Sequence, residues 1–272
     1  MQAISNPSTD EKESNMKRKT IAVFILLAIC AGLAFAQAAA ERSERIGIIS
    51  AMSNEIQLLL DNAEIERVDN IGGVDFHVGK LKGKDVVIMK SGIGKVLASS
   101  AATTMLDHYN ISEILFTGIA GGVGDETKVL DVVVATEIVQ HDYGQVTAGG
   151  FVWELSESGI CPCTPELVDL AYKAATETIG ADNVFKGTIV TGDQFIASEW
   201  YVKELQQKFN ALACEMEGAA VAAVCLRYST PFVIIRAMSD KADGLAHESM
   251  ENMGDIAADH SSEIVMRMLQ EM

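Results

Sequence analysis

The chain has few prolines, few cysteines and few aromatic residues. Its 272 residues include 4 prolines, 5 cysteines and 6% aromatic residues. So few prolines leave little material for a stiff linker between domains. Cysteines this sparse exclude a disulfide framework, although an oxidising compartment would permit one bridge. We therefore expect one large domain rather than two small ones.

Positive charge is also scarce. The sequence has 21 Lys and Arg against 38 Asp and Glu, and its formal net charge is -17. An acidic surface repels nucleic acid backbones and anionic lipid headgroups, which makes both poor partners and leaves small neutral or cationic ligands open. A hydrophobic content of 49% excludes a disordered chain.

One long apolar run stands near the N-terminus. Residues 16–36 begin with basic residues from Lys17 to Lys19, continue as an apolar run from Ile21 and end on Ala34-Phe35-Ala36. This order is typical of a secretory signal peptide. The alternative is an uncleaved membrane anchor, but the run is shorter than the roughly 20 apolar residues that a spanning helix needs.

We therefore expect four segments along the chain. Residues 1–15 are a polar extension, untranslated if Met16 is the true start, and residues 16–36 are the signal peptide. Residues 37–44 form a linker, and residues 45–272 form the folded domain. Cleavage near Ala36 would export the domain to the periplasm or the extracellular space.

From Arg45 onward, short β-branched runs alternate with longer helical patterns. This alternation predicts a mixed or parallel sheet covered by helices on both faces. The predicted strands are Arg45–Ser50, Asp75–Lys80, Asp85–Lys90, Glu113–Thr117, Val129–Glu137, Phe185–Thr191 and Phe232–Met238. The predicted helices are Asn54–Asn62, Lys95–Tyr109, Pro165–Ile179, Glu199–Lys208, Glu215–Tyr228 and Met250–Gln270. The short turn after Lys80 predicts an antiparallel hairpin.

Ligands of such sheets bind beyond the carboxyl ends of the strands. Glycines follow the strand that ends at Thr117, where they either let backbone amides approach a base or sugar, or relieve crowding in a tight turn. Glu215 is interpreted as a partner of a helix dipole, whereas Glu217 should share its sheet edge with Arg236 and Asp240.

Two further acids follow strands. Asp240 is either a helix cap or a proton donor whose orientation is fixed by the hydroxyl of Ser239. For Glu55 the plain interpretation is one more exposed charge on the Asn54–Asn62 helix.

Six ordered motifs then resemble one family. They are I-G-I-I-S-A-M-x-x-E (46–55), K-S-G-I-G-K (90–95), T-G-x-A-G-G (117–122), G-D-Q-F-I (192–196), E-M-E-G-A-A (215–220) and R-A-M-S-D (236–240). The chain resembles the 5′-methylthioadenosine/S-adenosylhomocysteine nucleosidases of the purine nucleoside phosphorylase-like superfamily. The resemblance implies a three-layer α/β/α fold with a central mixed sheet, a homodimer, an adenine nucleoside as substrate, and neither metal nor cofactor.

The resemblance also implies roles for individual residues. Glu55 would activate water for attack on the anomeric carbon, and Asp240 would protonate the leaving adenine. Glu217 would hold the ribose hydroxyls while Arg236 orients its carboxylate. Phe195 would stack on the base, the backbone of Ile196 would bind the adenine edge, and Met52, Ile93 and Met216 would shape the sugar and alkylthio pocket. We assign Ala120, Gly121, Glu215 and Ser239 to substrate binding as well.

Three positions depart from the family pattern. Ile119 stands where many members have Ser, Met250 where an aromatic residue closes the pocket, and Gly149 where a partner subunit supplies an aromatic residue. Val146, Phe151 or Trp153 would then compensate.

Competing functions stay open. They are a phosphorylase of the same fold, a futalosine-type hydrolase, and an exported nucleoside-binding or adhesive protein without turnover. A phosphorylase needs an Arg near the first strand end to hold phosphate, and Glu55 there would repel that dianion.

Overall fold

A ten-stranded mixed sheet forms the centre of the computed structural model, which describes residues 43–153 and 159–272. The strands are β1 (Arg45–Ser50), β2 (Ala63–Ile71), β3 (Val74–Leu81), β4 (Lys84–Lys90), β5 (Ile111–Gly122), β6 (Val132–Gln140), β7 (Gly144–Thr147), β8 (Gly150–Trp153), β9 (Ile160–Pro162), β10 (Val184–Thr191), β11 (Ala211–Glu215) and β12 (Phe232–Asp240). The helices are α1 (Ser53–Asn62), α2 (Lys95–His108), α3 (Pro165–Ile179), α4 (Glu199–Phe209), α5 (Gly218–Tyr228) and α6 (Ala246–Glu271).

The strand order is β11-β10-β6-β12-β5-β1-β4-β3-β2, with β9 paired to β6. The central strand β1 pairs in parallel with β4 and β5, and β12 pairs in parallel with β5 but antiparallel with β6. The residues of β1 after Arg45 are all buried, as expected for a strand covered on both faces. The predicted hairpin is confirmed, since β3 and β4 pair antiparallel with Leu81 opposite Lys84.

Helices cover both faces of this sheet. Helices α1 and α3 both contact α6 in one layer, and α2 contacts α5 in the other. The predicted three-layer α/β/α class with a central mixed sheet is therefore confirmed. Residues from Glu44 to Met272 form one compact unit.

An additional pairing joins β11 and β5, which lie far apart in the strand order of the sheet. β11 pairs antiparallel with the end of β5, with Ala213 opposite Gly122 and Cys214 opposite Gly121. The sheet therefore curls so that the carboxyl ends of β11 and β5 meet.

Several strands were missed in the sequence. Strand β2 is largely exposed and pairs only with β3 at the edge of the sheet, so it lacks the buried alternation that marks a strand. The short strands β7, β8 and β9 were also missed. Strand β6 begins at Val132 rather than Val129.

Three boundaries near the predicted site were wrong. Strand β5 continues to Gly122 because its glycines pair with β12 and β11, so they do not form a loop. Glu215 ends β11, and α5 begins only at Gly218. Helix α6 begins at Ala246, four residues before its predicted start.

The predicted N-terminal extension, the signal peptide and the linker up to residue 42 lie outside the described residues, and only Ser43 and Glu44 of the linker are described. Among the residues that are described, no helix combines the length and the apolarity needed to cross a membrane.

Candidate active site

A cavity opens where β1, β5, β11 and β12 end, and together with the open solvent at its mouth it encloses about 620 Å³ of empty space. All of the predicted site residues line it except Arg236, which is fully buried. The wall consists of Ala51, Met52, Glu55, Ile93, Ile119, Ala120, Gly121, Gln194, Phe195, Ile196, Cys214, Glu215, Met216, Glu217, Ser239, Asp240 and Met250.

Glu55 stands in the first turn of α1, and three backbone N–H groups hold its carboxylate. Its Oε2 accepts hydrogen bonds from Ala51 N and Met52 N, and its Oε1 accepts one from Ile119 N, each at 2.8 Å. The side chain is buried, so the alternative of an exposed helix charge is wrong. Because a carboxylate offers about four acceptor positions, one remains for a water molecule.

Two glycines of β5 make room for charged side chains. A Cβ at Gly118 would lie 2.5 Å from Glu55 Oε1 and 2.5 Å from Arg236 Nη1. A Cβ at Gly121 would lie 3.0 Å from Asp240 Oδ1. Gly118 therefore relieves crowding around charged groups, and Gly121 does so while also lining the cavity.

Arg236 pairs with a different glutamate from the one that we expected. Its Nη2 donates a 2.6 Å hydrogen bond to Glu215 Oε2, whereas its distance to Glu217 Oε2 is 3.8 Å. Burial opposes the charge of Arg236, but the carboxylates of Glu215, Glu217 and Glu55 outweigh it and raise the pKa of Arg236. The guanidinium also lies over the ring of Phe116, 4.1 Å from the ring centroid.

Glu215 has two roles in this arrangement. Its carboxylate accepts hydrogen bonds from the N–H groups of Glu217 at 3.1 Å and Gly218 at 2.7 Å, which makes it the expected partner of a helix N-terminus. It also accepts a hydrogen bond from the hydroxyl of Thr191. The ion pair with Arg236 is the part that the sequence interpretation missed.

Glu217 lies at the start of α5 with its carboxyl group against the N-terminus of α2. Its Oε1 accepts a 2.8 Å hydrogen bond from Gly94 N. Burial, and next the negative charge of Glu215, raise the pKa of Glu217 to about 8, although Arg236 and the Gly94 N–H oppose the rise. The group therefore lies close to titration at neutral pH.

Asp240 caps no helix, because α6 begins six residues later. Its Oδ2 accepts a 2.7 Å hydrogen bond from the hydroxyl of Ser239, as expected, and its Oδ1 accepts one from Ala242 N at 2.7 Å. Burial raises the pKa of Asp240 in spite of both bonds. This shift favours the protonated acid that a proton donor must be.

Phe195 has one ring face covered by a histidine. Its ring centroid lies 4.4 Å from that of His247, and the two planes are 25° apart. Ile196 is buried beside it.

Four residues of this site were not assigned from the sequence. Ala51, Gln194 and Cys214 line the cavity, and Gly94 holds Glu217. Ala51, Gln194 and Gly94 belong to the quoted motifs, so their positions after strands were the available signal. Burial raises the pKa of Cys214, which keeps it as a thiol.

Comparisons with known proteins show the family to which the chain belongs. Residues 45–270 match the model of the phosphorylase superfamily. The 5′-methylthioadenosine/S-adenosylhomocysteine nucleosidase of Bacillus cytotoxicus is 39% identical over 236 residues, which cover 84% of this chain and 99% of the relative. The chain belongs to this nucleosidase family.

Solved structures include relatives of two kinds. The nucleosidase of Neisseria meningitidis in complex with methylthio-immucillin-A is 37% identical with a TM-score of 0.78, covering 84% of this chain and 99% of that chain. The futalosine hydrolase of Helicobacter pylori is 32% identical with a TM-score of 0.76, covering 84% and 98%.

The departures from the nucleosidase pattern lie in two places. Ile119 and Met250 line the cavity. Gly149 lies between β7 and β8, which form a separate hairpin. Trp153 of this hairpin donates a hydrogen bond to the carbonyl of His141 and lies under Lys208 Nζ, 3.1 Å from its ring centroid. Trp153 is not among the residues that line the cavity.

The raised pKa of Glu217 predicts a pH-dependent cost to stability. The pKa of Glu217 is about 8 in the folded protein and 4.5 ordinarily, so protonated Glu217 stabilises the folded state. This stabilisation is complete below pH 4.5 and is lost as pH rises through 8. We expect Glu217→Gln to have a higher Tm than the wild type at pH 8 and a smaller advantage at pH 5. Thermal unfolding at both pH values measures this, with the exposed Glu64→Gln as the control. An advantage that does not grow with pH would contradict the assignment.

Proposed function

We propose that this protein hydrolyses the N-glycosidic bond of 5′-methylthioadenosine and S-adenosylhomocysteine, releasing adenine and the thioribose. Water is the nucleophile. The observation that carries the proposal is that Glu55 and Asp240, each with its own set of hydrogen-bond donors, line one cavity together with Glu217. Hydrolysis through an oxocarbenium-like transition state needs a base on one side of the sugar and an acid beside the leaving group.

Glu55 is the group that activates water. Three N–H donors fix the plane of its carboxylate, and the remaining acceptor position takes a water that it deprotonates during attack on the anomeric carbon. The same three N–H groups would otherwise suit a phosphate oxygen. Because a carboxylate already occupies them and repels a dianion, the site favours water over phosphate. A phosphorylase is thus the weaker candidate.

Asp240 is the group that protonates the base. Adenine leaves poorly as an anion and readily as a neutral molecule, and a positioned acid typically accelerates such a step by about 10²- to 10⁴-fold. The burial that raises the pKa of Asp240 favours its protonated form, and the Ser239 hydroxyl fixes the orientation of the carboxyl group. Phe195 lines the cavity and provides the ring on which the departing base stacks.

Glu217 holds the ribose hydroxyls. Its Oε2 accepts no hydrogen bond among the described residues, while Oε1 is fixed by Gly94 N. A hydrogen bond from a sugar hydroxyl strengthens as positive charge develops on the ring. Arg236 acts through Glu215, which aligns the start of α5 and thereby Glu217.

The 5′ end of the substrate meets Met52, Ile93, Met216, Ile119 and Met250. Flexible thioether side chains suit an apolar alkylthio group. Futalosine remains the substrate to compare, because a futalosine hydrolase shares this fold at 32% identity.

The decisive experiment follows adenine release from 5′-methylthioadenosine in phosphate-free buffer. We expect turnover by the wild type and a loss of about 10²-fold or more in kcat for Glu55→Gln and for Asp240→Asn, since each removes one half of the acid–base pair. The exposed Glu64→Gln and Asp182→Asn are matched controls that should keep wild-type rates.

Other outcomes of this assay reject the proposal. Turnover that requires phosphate selects the phosphorylase, and binding without product selects a non-enzymatic role. Faster turnover of futalosine would reassign the substrate. Wild-type rates in either active-site variant would remove that residue from the mechanism.

We also propose that the protein is a homodimer. Large apolar side chains stand exposed on the described surface, with Val146 at 86%, Val96 at 76% and Trp200 at 70% relative exposure. Contiguous exposed apolar surface is typical of contacts between subunits, and these side chains are the candidates for such a contact. Analytical ultracentrifugation should give twice the chain mass, and Val146→Glu should shift the equilibrium towards the monomer. A monomeric wild type would contradict the proposal.

Export is a further proposal, which rests on the sequence of residues 16–36 alone. Expression of the full chain should yield a mature protein that begins at Gln37 outside the cytoplasm. N-terminal sequencing of the recovered protein tests this, and an intact N-terminus on a cytoplasmic product would contradict it.

A further inference from the structure

Three separate segments of the chain meet at Lys95, outside the cavity wall. The Lys95 side chain donates a 2.6 Å hydrogen bond to Asp142 Oδ1, and its backbone N–H donates a 2.8 Å bond to Asp193 Oδ1. Asp193 N in turn donates a 3.0 Å bond to Asp142 Oδ2. These three contacts form a closed ring, which we call the Lys95 ring after Lys95, Asp142 and Asp193.

Each segment in the Lys95 ring leads directly to a part of the proposed site. Asp193 stands immediately before Gln194, Phe195 and Ile196, which line the cavity where the base is expected. Lys95 follows Gly94, whose N–H holds the Oε1 of Glu217. The ring therefore connects the base-binding loop with the support of the sugar-binding carboxylate.

The Lys95–Asp142 ion pair of the Lys95 ring is partly shielded from solvent, whereas Asp193 is exposed. The side chains of Lys95 and Asp142 are only 19% and 21% exposed. Burial raises the pKa of Asp142, but the bonds from Lys95 and from Asp193 N outweigh burial and lower it. An ion pair that is sheltered and shares further hydrogen bonds is worth more than an exposed pair.

A second contact supports the base-binding loop from behind. His141 precedes Asp142 and is fully buried, with Nδ1 3.2 Å from the hydroxyl of Tyr201. A Cβ at Gly192 would lie 2.3 Å from His141 Nε2, so only glycine fits there. Where the loop leaves β10, Gly192 therefore packs directly against the buried His141, and the Lys95 ring holds the following residue, Asp193.

We propose that Lys95 is a positioning residue that, through Asp142 and Asp193, holds the base-binding loop in register with the N–H that supports Glu217. This inference rests on the proposed function for the identity of the substrate. Its geometric part, that the loop and the α2 N-terminus are held together, does not depend on that function.

The consequence is a loss of substrate binding more than of chemistry. Glu55 and Asp240 are held by contacts in which Lys95 takes no part. Loosening the loop would therefore raise KM, and it would lower kcat to a smaller extent because Glu217 loses part of its support while the acid and base keep theirs.

Hydrogen exchange of the unliganded protein tests the geometric part. In Lys95→Met, the amides of residues 192–196 and 93–95 should exchange about tenfold faster, because the charge-assisted bond from the Lys95 side chain to Asp142 is lost. Amides of β12 are the internal reference. Lys186→Met is the matched control, since Lys186 and Asp169 also pair at 2.6 Å but lie away from the cavity. Unchanged exchange in the loop would overturn the proposal.

Kinetics test the functional part. Lys95→Met should raise KM by about tenfold with a smaller change in kcat, Lys95→Arg should recover most of the loss, and Asp142→Asn should reproduce the defect. A fall in kcat at unchanged KM would overturn the positioning role. If the wild type shows no turnover, the proposed function fails, and the exchange experiment still decides whether the Lys95 ring holds the loop.

Discussion

One buried guanidinium is surrounded by three buried carboxyl groups, and the rest of the site depends on this excess of negative over positive charge. Arg236 is hydrogen-bonded to Glu215 and interacts electrostatically with Glu217 and Glu55. Since a single positive charge cannot offset three negative ones in a sheltered place, one carboxyl group must carry the cost. Glu217 does so, as its raised pKa shows.

This constraint explains features of the fold that stability alone would not require. Position 118 needs glycine because a Cβ there would lie 2.5 Å from side-chain atoms of both Glu55 and Arg236. The pairing of β11 with the end of β5 brings Glu215 close to those groups. A protein selected only for stability would replace such a cluster with apolar residues, so its persistence is consistent with a site that needs negative charge around a developing cation.

Much of this could be predicted from the sequence, since residues after buried strands converge at one edge of the sheet. That rule alone locates Glu55, Glu217 and Asp240. It does not predict which acid pairs with Arg236. Glu215 and Glu217 are only two residues apart, and which of them faces Arg236 depends on where β11 ends. Lys95 was missed for a similar reason, since its partners lie 47 and 98 positions away in the chain. Strand β2 was missed because its exposed edge carries no burial pattern.

The central claim is that a water held by Glu55 attacks the sugar from the side opposite the base. Hydrolysis of 5′-methylthioadenosine in ¹⁸O-labelled water, with NMR of the sugar product before its anomers equilibrate, tests this claim most directly. The account predicts ¹⁸O at the anomeric carbon and an α-configured product, inverted relative to the β-nucleoside. Retention of the β-configuration, or a sugar phosphate as product, would contradict it.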